Sequence, residues 1–180
     1  MVEEEQQLIE EAKSGNAEAF GILYNQYMPQ IYRFVMLRVG SNREEAEDLT
    51  HEVFVHAWQN IPTYSERGFP LSSWLYQIAR NRIIDHFRTK KSNVPLDDYA
   101  ASEEVDTAFG PDVDVTLALE RVQEAIRKLG EEQQTVLIMR FVEDRPTSEV
   151  ARVLGKTEGA VRLVQHRALR ALRDVLAPEV

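Results

Sequence analysis

At 180 residues the chain has room for one large domain or two small ones, and 43% hydrophobic with 28% charged residues is an ordinary globular composition. It holds no cysteine, which excludes disulfides, thiolate zinc sites, iron–sulfur clusters and cysteine nucleophiles. No apolar run approaches the length of about 18 residues read as a membrane span, and the acidic start Met1-Val2-Glu3-Glu4-Glu5 is unlike a signal peptide, so a soluble, cytoplasmic protein is expected. The net charge of −9 is unevenly spread. Residues 1–96 carry 10 basic and 13 acidic side chains, residues 97–120 carry none and 8, and residues 121–180 carry 11 and 9. Bases cluster at Arg80–Lys91 and at Lys156–Arg173, each with five bases against one acid. Local patches of this kind attract phosphates whatever the total charge.

In chain order, Phe20, Leu23, Tyr24, Tyr27, Ile31, Phe34, Val35 and Val39 recur near i, i+3, i+4, i+7 and predict a helix. Pro29 is expected to kink or restart it, and Gly40 to end it. Ser41-Asn42-Arg43-Glu44 reads as a capping box for the next helix. That helix has Ala46, Leu49, Thr50, Val53, Phe54 and Ala57 on one face and Glu44, Glu47, Asp48, His51 and Glu52 on the other. A loop spans Ile61 to Pro70. A helix resumes at about Leu71, its apolar face including Trp74, Leu75, Ile78, Ile83, Ile84 and Phe87, and Trp74 and Phe87 are expected in the core. From Asp97 to Asp114 the chain is acidic, holds Gly110 and Pro111 and shows no helical period, so it reads as an extended linker. Leu119, Val122, Ile126 and Leu129 mark one further helix, and Val136–Phe141 another. A closing pair runs from Thr147 to Leu154 and from Thr157 to about Leu176, with Thr147 and Thr157 as caps and Gly155 in a left-handed turn between them. No stretch alternates at period 2. The expected fold is all-α: two small helical domains, residues 1–96 and 117–180, joined by an acidic linker at 97–116.

Three constellations carry chemistry. Counting Thr147 as the first of twenty positions, small or turn-forming residues fall fifth (Ala151) and ninth (Gly155). Apolar ones fall fourth (Val150), eighth (Leu154), fifteenth (Val161) and eighteenth (Val164), the pattern of a helix-turn-helix. Thr157, Glu158, Arg162 and His166 would then face bases, and Lys156, Arg167, Arg170 and Arg173 phosphates. A plain helical hairpin with a solvated basic face is the alternative. From Tyr64 to Lys91, aromatics (Tyr64, Phe69, Trp74, Tyr76, Phe87) interleave with bases (Arg67, Arg80, Arg82, Arg88, Lys90, Lys91), which suits unpaired nucleic acid. Phe69, in a loop between Gly68 and Pro70, is the aromatic expected to be exposed. The acidic face around Glu47, Asp48, His51 and Glu52 is either solvated or a partner-docking surface. Its Glu47/His51 and Glu52/His56 pairs at i, i+4 are not the Glu-x-x-His spacing of bundle metal sites, so no metal or other cofactor is expected. Gly155-Lys156-Thr157 lacks the first glycine of a phosphate loop, and no nucleophile elbow or dinucleotide fingerprint occurs, so no enzyme is expected.

These blocks, in this order, resemble the bacterial sigma-70 family, specifically its extracytoplasmic-function group, over about residues 17–95 and 115–176. Glu45-Ala46-Glu47-Asp48-Leu49-Thr50-His51-Glu52-Val53-Phe54 with Ala57-Trp58 looks like the family's polymerase-binding block. Phe69-Pro70 through Trp74-Leu75 and Ile78-Ala79-Arg80-Asn81, then Asp85 and Arg88, looks like its −10 recognition block, and Arg140-Phe141 through Arg173 like its −35 recognition domain. The resemblance implies a promoter-specificity subunit of core RNA polymerase. Glu47, Asp48, Leu49, His51, Glu52 and Phe54 would dock on the β′ clamp helices. Ser65, Arg67 and Phe69 would capture a flipped base of the −10 element, with Arg80, Asn81, Arg82 and Arg88 holding that region. Lys156, Thr157, Glu158, Arg162, His166, Arg167 and Arg170 would read −35 promoter DNA, and the second domain would contact the β flap. Relatives are often held inactive by an anti-sigma factor. His51 stands where the family usually has Gln, and Gly130 where Pro is common. An ordinary dimeric helix-turn-helix regulator and a pure interaction protein are the competing readings. The first leaves the aromatic–basic loop unexplained, and the second the two basic patches.

Overall fold

A computed structural model describes residues 2–40, 42–93 and 113–178. Among them all regular structure is helical, as expected. The N-terminal half is built from α1 (Val2–Lys13), α2 (Ala17–Val39), α3 (Arg43–Asn60) and α4 (Leu71–Asn93), with a 3-10 turn at Ile61–Thr63. Asn16 starts α2, its side-chain oxygen accepting from the Glu18 and Ala19 amides at 3.0 and 3.2 Å. The helix neither stops nor restarts at Pro29 but runs on unbroken. Tyr27, Ile31, Phe34 and Val35 are all buried across that point, and their packing outweighs the hydrogen bond that proline cannot donate. Gly40 ends α2 at a φ of +90°, a backbone region glycine adopts freely, and a Cβ there would come within 3.4 Å of Arg127 Nε.

The cap of α3 is Asn42, whose side chain accepts from the Glu45 amide at 3.1 Å, rather than the expected Ser41–Glu44 box; Ser41 lies outside the described residues. The buried face of α3 is the one the periodicity predicts. Along α4, Leu71, Leu75, Tyr76, Ile78, Ala79 and Ile83 are buried. Trp74 is only half-buried, against Tyr64, and Phe87 is exposed. Beyond Ile83 the helix outruns its cover, and Phe87 meets the His86 ring instead of the core.

The C-terminal half comprises α5 (Val113–Arg127), α6 (Glu131–Leu137), a π turn (Ile138–Val142), α7 (Thr147–Leu154) and α8 (Glu158–Leu176). Helix α5 begins inside the stretch expected to be linker; residues 94–112 lie outside the described residues. Leu119 and Val122 are exposed, against expectation, because from residue 117 onward α5 is buried only near its end, at Ala125 and Ile126. Thr147 does not cap α7. It is the first helical residue, and Pro146 already supplies the extended entry at φ −64°, ψ 153°. Gly155 closes α7 at φ +63°, and Thr157 caps α8 by accepting from the Ala160 amide at 3.1 Å.

The two halves share one apolar core. Residues from Ile9 to Ile83 and from Ile126 to Ala168 form a single buried cluster, with α4 laid against α7 and α2 against α5 and the π turn. This places the Tyr64–Lys91 region beside the helix-turn-helix.

Candidate functional site

The helix-turn-helix is packed as its spacing requires. Val150 and Val161 are fully buried, Ala151 and Leu154 nearly so, and Val164 half-buried. The opposite face is open. Lys156, Thr157, Glu158, Arg162, His166, Arg167, Arg170 and Arg173 are all exposed. Three of these cations have acidic company: Lys156 Nζ lies 3.3 Å from Glu132, Arg162 3.9 Å from Glu158 and Arg173 3.9 Å from Asp174. Such surface pairs are weak enough to yield to phosphate.

The aromatic–basic region is divided by the fold. Ser65, Arg67, Asn81 and Arg88 are exposed, Arg88 bonding to Asp85 at 2.9 Å. Arg82 reaches His56 Nδ1 at 2.8 Å, and burial together with the Arg82 charge lowers the His56 pKa, so that imidazole is neutral at pH 7. Phe69 is half-buried, with the Arg152 guanidinium of α7 centred 4.7 Å above its ring. Arg80 is largely covered, because its Nε and Nη2 both donate to Glu131 of α6, at 2.7 and 2.8 Å. Beside them Gln77 donates to the Arg152 carbonyl at 2.9 Å. The structure thus sets two of the expected −10 residues against the other half of the chain.

Sequence reasoning missed the rest of that contact. Glu131 also lies 3.4 Å from Arg38 Nη1, and Arg38 bonds to Gln134 at 3.0 Å and Thr135 at 2.9 Å while only 3% exposed. Burial would raise the Glu131 pKa, but the Arg80 and Arg38 charges outweigh it and hold the carboxyl below its ordinary range. Burial lowers the pKa of Arg38, which nonetheless stays charged. Glu143, with its side chain 1% exposed, accepts from Nε and Nη2 of Arg33, at 2.7 and 2.8 Å, and from the Tyr76 hydroxyl at 3.3 Å. Arg145 extends over the Tyr76 ring and donates to Gln30. One signal was available: Arg38 stands seven residues after Ile31 and four after Phe34, on the apolar face, where a charge needs a partner from elsewhere.

Glu149 of α7 is buried in the same contact, and burial pushes its pKa above the ordinary carboxyl range, against the Arg145 charge and Ser73. A carboxyl shifted upward favours the packed form at low pH and loses that contribution as pH rises through its raised value. Glu149→Gln, which removes the cost of burying the charge, is therefore expected to raise the melting temperature at pH 7.5 by about 2 °C and to leave it unchanged near pH 4. A drop at pH 7.5 in calorimetry would show that the charge itself is used.

On the acidic face, Glu47, Asp48, His51 and Glu52 are exposed, with Glu47 accepting from Arg43 at 2.9 Å. Leu49 and Phe54, expected to touch a partner, are instead 5% and 4% exposed. They belong to the packed side of α3, where Phe54 meets the Tyr24 ring edge-on at 4.7 Å, while Leu49 lines a cleft beside Asp48 and Glu52. No group of metal-ligating side chains is assembled among the described residues, and none of their helices is long and apolar enough to cross a membrane.

Comparison with known proteins gives these surfaces a context. Residues 23–93 match the family described as Sigma-70 region 2, and residues 125–174 that described as Sigma-70, region 4. The chain is 37% identical over 172 residues to the ECF RNA polymerase sigma factor BldN of Streptomyces coelicolor, covering 94% of this chain and 65% of that protein. It is 32% identical over 179 residues to the ECF RNA polymerase sigma factor SigW of Bacillus subtilis, covering 93% and 94%. Its fold is like that of the sigma factor RpoE solved with the anti-sigma factor NepR from Bartonella quintana, with a TM-score of 0.71 and 24% identity over 89% of this chain and 98% of that one.

Proposed function

Because the chain belongs to the extracytoplasmic-function group of the sigma-70 family, and so is a non-enzymatic RNA polymerase sigma factor that directs promoter-specific initiation, we propose a division of labour between its halves. Residues 1–96 bind core polymerase and the melted −10 strand, residues 117–180 read the −35 duplex, and residues 97–116 connect them. Glu47, Asp48, His51 and Glu52 offer the β′ clamp helices an acidic surface, and the C-terminal half contacts the β flap. Ser65, Arg67 and Phe69 receive an unpaired base, while Arg80, Asn81, Arg82 and Arg88 hold the strand around it. The protein works in the cytoplasm, where its polymerase is, and an anti-sigma factor is a further partner.

The observation that carries this reading is the combination, in one chain, of an aromatic–cationic loop and helix with an exposed basic recognition helix. A duplex-binding repressor has no use for the first. The Glu131 carboxylate accepts from two nitrogens of Arg80 side by side, as a phosphate would. Promoter engagement by Arg80 therefore means giving up Glu131, and binding to polymerase supplies the free energy for that exchange by holding both halves at promoter spacing. With few phosphate contacts and a net charge of −9, the isolated protein binds duplex weakly.

Run-off transcription with core polymerase of the source bacterium and a genomic template library tests this. Discrete new start sites are expected with the protein, and their loss with Arg80→Ala/Asn81→Ala. No new transcripts, together with tight promoter binding by the protein alone at physiological salt, would establish the repressor instead.

A further inference from the structure

We infer that Leu163 is a specificity-determining residue of the recognition helix, and that it reads the C5-methyl group of a thymine in the −35 element. The inference rests on the function proposed above. Leu163 lies in α8 and is 50% exposed. A single exposed leucine says little by itself; the position decides. Val161 and Ala168 are fully buried and fix the inward side of α8. Gly159, Leu163, His166 and Arg170, spaced i, i+4, i+7 and i+11, form the stripe on the opposite side, and all four are exposed. Leu163 is therefore central to the face turned outward, flanked by the cations Arg162 and Arg167.

Gly159, one turn before Leu163, supports the same reading independently. Glycine weakens a helix, and nothing inside the molecule requires it here. Its φ is not in the left-handed region, and a Cβ would meet nothing closer than Thr157 Oγ1 at 4.0 Å. What the missing side chain provides is a low point on the outward face, where the helix can come close to a groove wall. Gly159 and Leu163 make a short apolar strip inside a cationic surface. Arginines on either side find phosphates or guanine edges, whereas an aliphatic side chain at the centre has one base feature to match in the major groove, the thymine methyl.

The test uses holoenzyme and a promoter recovered in the transcription experiment. Each thymine of its −35 element is replaced in turn by deoxyuridine, which removes the methyl and keeps every hydrogen-bonding group. At one position, uracil is expected to lower holoenzyme binding about fourfold, the factor matching about 0.8 kcal/mol for one buried carbon. Leu163→Ala should show a similar loss on thymine DNA and no thymine–uracil difference at that position. Its melting temperature should hardly change, since Leu163 is half-exposed and no part of the buried core. A −35 element without thymine, indifference of the wild type to every replacement, or discrimination retained in Leu163→Ala would each overturn the inference while leaving transcription intact. Absence of any transcript would remove the underlying function and the inference with it.

Discussion

Glu131→Ala is expected to destabilise the protein by about 3 kcal/mol, the lower end of the range for removing one partner of a buried ion pair. Arg38 is 3% exposed and cannot turn to solvent when its carboxylate goes, although Gln134 and Thr135 still hold two of its donors. Arg80 loses both bonds as well. The comparison that decides the point is Glu143→Ala. Arg33 has a half-exposed side chain and regains water, leaving the Tyr76 hydroxyl to bear the loss, so about 1 kcal/mol is expected. Urea denaturation at pH 7 measures both, and equal losses would mean that burial of Arg38 is not what sets the cost. The pH dependence has a fixed sign. The Glu131 pKa is depressed in the folded state, so its contribution is present above about pH 4.5, the ordinary carboxyl value, and disappears as pH falls through the lowered one.

Phe69→Ala is expected to lower open-complex formation about 30-fold, or about 2 kcal/mol, the cost of losing one base–aromatic stack. The fold should hardly notice. Phe69 is half-buried in a loop and its intramolecular partner is the Arg152 guanidinium, a contact worth about 0.5–1 kcal/mol at such sites. Phe69→Trp, which keeps a π face, should restore most of the activity. A base-analogue fluorescence assay of the melted −10 region reads the effect directly. Full melting by Phe69→Ala would remove this ring from the proposed strand contact.

The helices were legible because period and punctuation agree. The buried side of α3, the Gly40 stop, the Gly155 turn and the Thr157 cap follow from local chemistry alone. Pro29 does not interrupt α2 because proline's effect is local while the burial of Ile31 and Phe34 around it is tertiary. Leu49 and Phe54 carry two signals at once: family resemblance points them at a partner, and their spacing puts them with Ala46, Val53 and Ala57 on the buried face. The contact between halves was beyond reach for a different reason. Arg80 and Glu131 are 51 residues apart and Arg33 and Glu143 are 110 apart, and charged residues at such separations leave no periodic trace. Arg38 alone advertised it, as a cation in an apolar stripe.

Arg38 also has a history during synthesis. Its partners Glu131, Gln134 and Thr135 lie 93 to 97 residues downstream. At about 5–20 residues per second on the ribosome, roughly 5–20 s separate the emergence of the arginine from that of the side chains that neutralise it. Over that interval the nascent N-terminal half carries Arg38, and over its later part Arg80 too, without their common carboxylate. Every molecule of this protein is thus born with that surface uncovered, and closes it only once residues 131–135 have followed.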